Sequence, residues 1–186
     1  MSGPSGVGKT TIAHRVQQAV VGAFSVSATT RTPGAGEMDG VDYHFVSLAQ
    51  FDRMRSAGEF LEFAQVFERD AYGTPRGPVE AHLAAGRVVL LDIDVQGAAQ
   101  IRASMPEACM IFVLPLSEDV LRQRLTDRGR DSAEAIERRL AEARVELKAA
   151  EAPGLYDCFV TNDDLDRATE EVLTTIRERL AEVAGT

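Results

Sequence analysis

Residues 3–10, GPSGVGKT, decide the fold of this chain. The stretch fits the pattern G-x-x-x-x-G-K-[ST], a glycine-rich loop that opens a helix and holds the phosphates of a nucleoside triphosphate. Its glycines let the backbone curl so that successive N–H groups converge on the β-phosphate, and the following helix adds its positive N-terminal end. Lys9 is predicted to bridge the β- and γ-phosphates, and Thr10 is predicted to hold Mg²⁺.

The surroundings of the loop support this interpretation. Apolar residues recur at helical spacing over residues 10–21. VVLLDI, residues 88–93, is a continuous apolar run that ends in an acid, as in a strand buried on both faces of a parallel sheet. A strand of roughly five or six apolar residues should also lead into the loop, whereas only Met1 and Ser2 precede it. We expect a lost or unassigned N-terminal segment, whose absence would weaken the fold.

The rest of the chain alternates between strand and helix patterns. FSVSATT, residues 24–30, has the two-residue period of a strand, and two further apolar runs predict buried strands, CMIFVLPL at 109–116 and DCFVTN at 157–162. Helical patterns cover 117–128, 132–150 and 164–184. Residues 31–78 are rich in Gly, Pro and aromatics, with a helix at about 47–57, and they predict a small inserted α+β unit. One domain follows, with an open, mostly parallel α/β sheet and helices on both faces.

Composition and charge exclude several classes of protein. The net charge of -9 disfavours DNA or RNA as a partner, because their affinity depends largely on neutralised phosphates. No apolar run reaches the ~20 residues of a membrane-spanning helix, and the N-terminus lacks the pattern of a secretory signal. We therefore expect a cytoplasmic protein with neither a nucleic-acid polymer nor a membrane as partner. The cysteines and histidines lack the spacing of a metal site, and we interpret all of them as structural or surface residues: Cys109, Cys158, His14, His44 and His82.

Several stretches along nearly the whole chain resemble guanylate kinases more than phosphate-loop proteins at large. They are SGPSGVGKT, SVSATTRTP, GEMDGVDYHF, GEFLEF, YGTP, LLDIDVQGA, RLTDRGRDSAEAIERRL and VTNDDL. The resemblance implies an α/β fold of the P-loop NTPase type, with a parallel sheet core flanked by helices, a small inserted α+β GMP-binding subdomain and a helical lid. The core would comprise residues 1–30, 81–123 and 148–186, the insert residues 31–80, and the lid residues 124–147.

The activity implied by the resemblance is transfer of the γ-phosphoryl group of ATP to GMP, and to dGMP, with Mg²⁺, by a monomer or a homo-oligomer. The predicted ATP-binding residues are Gly3, Ser5, Gly6, Val7, Gly8, Lys9, Thr10, Thr11 and, near the adenine, Asn162. The predicted GMP-binding residues are Ser27, Arg31, Tyr43, Glu62, Tyr72, Thr74 and Asp94.

Two of these positions have a direct chemical reason. A guanine edge offers two adjacent donors, N1–H and the 2-amino group, and a carboxylate such as that of Glu62 accepts both at once. Thr74 matches the hydroxyl partner of the guanine O6. Adenine presents the opposite pattern and would leave Glu62 unpaired, so a site built in this way can reject the wrong base by ~10⁴ or more.

The residues implied in catalysis are mainly cations that neutralise charge on the phosphates. The attacking oxygen belongs to an ionised phosphate, so no general base is required. The predicted catalytic residues are Lys9, Arg31, Asp92, Asp94, Arg124, Arg128 and Arg139, the last three in the lid. Asp92 and Asp94 alternate along a predicted strand end and so should share a face. Asp92 is expected to hold Mg²⁺ together with Thr10.

The chain departs from the family pattern at several positions. In the family the sequence TPR carries a second phosphate-binding arginine, whereas this chain has TPG with Gly34 at that position. The missing contact should cost about 1.5 to 3 kcal/mol of GMP binding free energy, unless another group such as Arg76 replaces the arginine. Phe63 replaces a tryptophan, and Ala71 replaces a tyrosine. Two alternatives stay open: a guanylate kinase-like binding module with impaired catalysis, and a P-loop kinase that acts on another phosphorylated metabolite.

Overall fold

The computed structural model describes residues 1–20, 22–66, 70–127, 129 and 132–185. In these ranges the helices are α1 (Lys9–Ala19), α2 (Leu48–Ser56), α3 (Arg76–Ala84), α4 (Val95–Ser104), α5 (Glu118–Asp127), α6 (Ala133–Ala150) and α7 (Leu165–Ala184). The strands are β1 (Gly22–Phe24), β2 (Ala28–Thr29), β3 (His44–Phe45), β4 (Phe60–Val66), β5 (Asp70–Pro75), β6 (Val88–Leu90), β7 (Ile111–Pro115) and β8 (Cys158–Asn162). None of the helices in the described ranges has the length and hydrophobicity needed to cross a lipid bilayer.

The core consists of two parallel strand pairs. Strand β1 pairs with β6, with Gly22 opposite Val88, and β7 pairs with β8, with Ile111 opposite Cys158. Strands β6, β7 and β8 lie in the apolar runs that the sequence predicts, because helices cover both faces of a parallel sheet. The prediction of a parallel α/β core is confirmed.

Met1 and Ser2 lie between the two strand pairs. The amine of Met1 donates to Leu91 O at 2.7 Å, and Ile93 N donates to Met1 O at 3.1 Å. On the other side, Ser2 N donates to Ile111 O at 2.9 Å. The bridge between Ser2 and Phe112 is parallel. These two residues therefore connect β6 to β7, and the glycine-rich loop follows directly from the centre of the sheet.

A second, mixed sheet has the strand order β3-β2-β5-β4. The two long strands β4 and β5 are antiparallel and place Glu62 opposite Thr74. The prediction of one strand over residues 24–30 is wrong, because the chain passes there from one sheet to the other. Ser25 N still donates to Leu90 O beside β6, whereas Ser27 O accepts from His44 N beside β3. The second sheet thus begins at Ala28, before the predicted insert at 31–80.

Helices α5 and α6 form a layer with its own apolar cluster, in the region predicted as the lid. Buried side chains of both helices meet there: Leu121, Leu125, Ile136, Leu140 and Ala143. The central core, in contrast, packs α1 against α7 and the parallel strands, with Ile12, Val16 and Val172 fully buried. Burial of a side chain of this kind stabilises the fold by about 1.5 to 3 kcal/mol.

Candidate active site

The glycine-rich loop turns sharply before α1, and its backbone requires glycine at Gly8. That residue has a φ of 102°, which side-chain-bearing residues rarely adopt. A Cβ there would also lie 2.4 Å from Nδ2 of Asn162. The ammonium group of Lys9 folds back over the loop and donates to Gly3 O at 2.5 Å and to Pro4 O at 3.3 Å. The loop therefore has the shape that the sequence motif predicts.

The two predicted metal ligands are in direct contact. Thr10 Oγ1 donates to Asp92 Oδ2 at 2.8 Å, and Asp92 Oδ1 lies 3.9 Å from Lys9 Nζ. A hydroxyl and a carboxylate are hard oxygen ligands, which suit Mg²⁺ bound mainly by phosphates and water. No group of three or more His, Cys, Asp or Glu side chains is arranged to hold a metal in the described part of the chain. The residues present therefore fit a magnesium ion that enters with its nucleotide.

Two predicted lid arginines contact the loop. Arg124 donates from Nη1 to Val7 O at 3.1 Å and from Nη2 to Asn162 O at 2.8 Å. Arg139 donates to the hydroxyl of Ser5 at 3.1 Å. The third predicted lid arginine, Arg128, lies outside the described residues. Both described guanidinium groups thus reach the segment where the triphosphate is predicted to bind.

Asn162 supports the loop from the end of β8. Its side chain is 4% exposed, and Nδ2 donates to Val7 O at 2.7 Å. Its Oδ1 is buried and has no hydrogen-bond partner. The sequence predicts this residue near the adenine of ATP, and the structure places it against Val7 and Gly8 of the loop. Asn162 therefore supports the loop through its contact with Val7.

The predicted base-recognition pair is formed on neighbouring strands. Thr74 Oγ1 donates to Glu62 Oε1 at 2.5 Å across β4 and β5. Glu62 is only 5% exposed. Burial raises the pKa of its carboxyl to about 7, although the hydrogen bond from Thr74 lowers this pKa in part. The nearby charge of Asp94 raises this pKa further. The pair is buried and has no cation that neutralises it among the described residues.

The predicted phosphate-binding side chains converge around Arg31. Its Nε donates to the Tyr72 hydroxyl at 3.2 Å, and its Nη2 donates to Glu37 Oε1 at 2.8 Å. Its guanidinium carbon lies 5.3 Å from the Tyr43 ring centre. Burial, and next the charge of Asp92, raise the pKa of Tyr43 to about 12, so this hydroxyl stays protonated and can donate. Ser27 is half-buried beside β2.

Glu37 is a residue of this group that the sequence analysis did not identify. One of its carboxylate oxygens accepts from Arg31, and the other accepts from Gly34 N at 2.6 Å. The hydrogen bond to Glu37 is the main cause that raises the pKa of Arg31 above its usual range. Its position in GEMDG, shortly after Gly34, is a signal that could have identified it.

Two expectations about individual residues need correction. Strand β6 ends at Leu90, so Asp92 and Asp94 do not alternate along a strand. Asp94 instead caps α4, and its Oδ1 accepts from Gly97 N at 2.7 Å. Arg76 does not join Arg31, because its hydrogen bonds go to Gly58 O, Phe60 O and Glu80, at the start of β4 and on its own helix.

Glu146 on α6 is a second residue that the sequence analysis did not identify. Burial raises the pKa of its carboxyl to about 7, while the charge of Lys9 lowers it and the charge of Asp94 raises it. This half-buried acid therefore lies within electrostatic reach of the loop lysine. A single glutamate on a charged helix gives no signal in the sequence, so only the fold identifies it.

A loop with the triphosphate-binding motif, two arginines in contact with it and a separate cluster of donors around Arg31 are the arrangement expected of a P-loop nucleoside monophosphate kinase. The family model for guanylate kinase matches residues 1–179. A protein named guanylate kinase from Synechococcus sp. (strain CC9902) is 49% identical over 94% of this chain and 91% of its own length. The protein of that name from Anaeromyxobacter dehalogenans (strain 2CP-C) is 46% identical over 100% of this chain and 81% of its own.

A solved structure gives the same result at the level of the fold. The crystal structure of guanylate kinase from Anaplasma phagocytophilum superimposes with a TM-score of 0.77 at 35% sequence identity, and the match covers 95% of this chain and 82% of that one. The chain belongs to the guanylate kinase family, whose members are nucleoside monophosphate kinases that use ATP and GMP.

Proposed function

We propose that this chain transfers the γ-phosphoryl group of ATP to GMP or dGMP, with Mg²⁺, in the cytoplasm. The observation that carries the choice of acceptor is the Glu62 carboxylate, which is buried, oriented by Thr74 and not neutralised by a cation of the described residues. A buried carboxylate that no cation neutralises is costly. A ligand that supplies two adjacent N–H donors removes this cost, and guanine does so through N1–H and the 2-amino group.

Base selection follows from the same pair. With guanine bound, Glu62 would accept hydrogen bonds from N1–H and the 2-amino group, and the single Thr74 hydroxyl proton would turn from Glu62 Oε1 to O6. Adenine would place the N1 lone pair against the carboxylate, and its 6-amino donor would stand where guanine has an acceptor. A site with buried polar groups that a ligand leaves unpaired discriminates by ~10⁴ or more. The proposal therefore requires strong preference for GMP over AMP.

The phosphate of the acceptor is assigned to the group around Arg31. The Arg31 guanidinium and the hydroxyls of Tyr43 and Tyr72 offer the donors that suit a tetrahedral anion. Ser27 and Asp94 remain proposed contacts of the same nucleotide. Since the attacking oxygen is already ionised, these residues position the acceptor and neutralise charge, and none of them has to accept a proton.

The donor is assigned to the loop. Lys9 and the N–H groups of residues 5–11 would hold the triphosphate, and Arg124 and Arg139 would neutralise the charge that develops during transfer. A magnesium ion held by Thr10 and Asp92 would supply Lewis acidity towards the phosphoryl oxygens. Arg128 stays a predicted third lid cation.

One observation favours the alternative of a binding module. Gly34 replaces a phosphate-binding arginine, and Arg76 is engaged elsewhere. The assembled loop, the Thr10–Asp92 contact and the two lid arginines argue for catalysis. A turnover measurement decides between the two proposals.

The test supplies ATP and Mg²⁺ with GMP, dGMP, AMP or a sugar phosphate and follows ADP release. We expect turnover with GMP and dGMP and almost none with AMP or the sugar phosphate. Glu62→Gln should lower kcat/KM for GMP by at least about 100-fold and leave ATP binding intact. Glu59→Gln, an exposed acid close to Glu62 in sequence, is the control and should change neither. Equal rates with AMP and GMP would refute the assignment of the base, and no ADP release with any acceptor would favour the binding module.

A further inference from the structure

Gly97, the third residue of α4, is in contact with the base-recognition carboxylate. A Cβ built on Gly97 would lie 2.3 Å from Glu62 Oε2, 2.9 Å from Cδ and 3.3 Å from Cγ. Real Cβ atoms essentially never approach a heavy atom as closely as the first of these distances. The backbone of α4 therefore forms one wall of the space that the Glu62 carboxylate occupies, and a side chain on that wall would require the carboxylate to move.

The backbone conformation does not explain a glycine at this position. Gly97 is helical, and it is not among the glycines with positive φ. Alanine is favoured over glycine inside a helix, so conformation alone would favour a side chain here. The helix is also well anchored, since Asp94 caps it by accepting from Gly97 N at 2.7 Å. The contact with Glu62 therefore explains why a glycine stands at this position.

The carboxylate is thus oriented from two sides. Thr74 donates to Oε1 at 2.5 Å from strand β5, and the bare backbone of Gly97 lies against Oε2. Thr74 and Gly97 are themselves buried. A side chain on α4 would push the carboxylate out of this position, and a displacement of about 1 Å at a binding group costs on the order of 100-fold in kcat/KM.

We propose that Gly97 is a positioning residue for base selection, because its missing side chain lets the Glu62 carboxylate lie between β5 and α4. This inference rests on the proposed role of Glu62 in binding guanine. It assigns specificity to a helix position that itself offers no functional group to the ligand.

The test is a double-mutant cycle with Gly97→Ala and Glu62→Gln. Gly97→Ala alone should lower kcat/KM for GMP about 100-fold, mainly through KM, while the KM for ATP changes less than about twofold. In the Glu62→Gln background the same substitution should have almost no further effect on GMP use, because its effect acts through the carboxylate. Gly77→Ala on α3, where a Cβ meets nothing within 4 Å, is the matched control and should leave both constants unchanged.

The outcomes separate the two proposals. If Glu62→Gln does not reduce GMP use, the base-recognition role itself fails. If Glu62→Gln reduces it but Gly97→Ala has no effect, or has an effect that adds fully to that of Glu62→Gln, the inference about Gly97 fails alone.

A stability measurement covers the case in which Gly97→Ala folds poorly. The substitution should lower Tm in the wild-type background, because its Cβ collides with Glu62. In a Glu62→Ala background the collision is removed, and the same substitution should raise Tm, because alanine is the better helix former. The same sign of the Tm change in both backgrounds would overturn the proposal.

Discussion

Replacement of Glu62 by glutamine should stabilise the folded chain at alkaline pH, although it removes the group that the proposed activity needs. Burial raises the pKa of the Glu62 carboxyl from its ordinary value of 4.5 to about 7. One pKa unit corresponds to about 1.4 kcal/mol, so the ionised carboxylate destabilises the fold by roughly 3 kcal/mol once the pH exceeds 7. The residue is almost fully buried, so solvent screens little of this energy.

The pH dependence has a definite sign. The unfolded chain releases its proton near pH 4.5, whereas the folded chain keeps it until about pH 7. Stability contributed by protonated Glu62 is therefore complete below 4.5 and is lost as the pH rises through 7. Glutamine cannot ionise, and its amide oxygen still accepts from Thr74. We expect the variant to exceed the wild type by roughly 3 kcal/mol at pH 8 and by about 1 kcal/mol or less at pH 5.

Denaturant unfolding of the wild type and of Glu62→Gln at pH 5 and pH 8 measures this difference. The comparison between the two proteins cancels the titration of other groups, including Glu146, whose pKa is also about 7. Glu59→Gln, which is exposed, should show no such pH-dependent gain. Equal unfolding free energies of wild type and Glu62→Gln at pH 8 would refute the argument from desolvation. GMP should reduce the difference in unfolding free energy between Glu62→Gln and the wild type, because its N–H donors stabilise the ionised carboxylate of the wild type.

Two further changes test other parts of the site and fold. Gly34→Arg should lower the KM for GMP about tenfold, since a Cβ there lies beside the Arg31 group, 3.0 Å from Glu37 Oε2 and 3.7 Å from Arg31 Nη1, and the new guanidinium would add a charge-assisted contact with the phosphate. Gly34→Ala supplies the Cβ without the charge, and an equal KM in both variants would contradict this role. An apolar segment of about five or six residues fused ahead of Met1 should raise Tm, because it would extend the parallel pairing between β6 and β7. A Gly/Ser segment of the same length is the control. An equal Tm for both fusions would show that the space between β6 and β7 ahead of Met1 does not accept a strand.

The elements that the sequence predicts correctly are those with strong local patterns. The apolar runs at 88–93, 109–116 and 157–162 contain β6, β7 and β8, because buried parallel strands have no polar face. The helix expected at about 47–57 is α2, with Ser47 as its N-cap and Ala57 as its C-cap. The loop motif gives the turn into α1 directly.

The features that the sequence does not predict depend on contacts between distant segments. The alternation in residues 24–30 is a local signal and cannot show that β1 and β2 belong to different sheets. Asp94 comes directly after a predicted strand, and only the observed start of α4 shows that it is a helix cap. The closeness of Gly97 to Glu62 depends on the packing of α4 against β4. No periodicity in the chain encodes that distance.

The conformation of the Lys9 side chain determines which hydrogen bonds nucleotide binding has to replace. Its ammonium donates to the carbonyl oxygens of Gly3 and Pro4. In the proposed binding of ATP, phosphate oxygens would replace these two carbonyl oxygens as acceptors of the ammonium. The ammonium is already partly desolvated, so binding would not have to remove water from a fully hydrated ion.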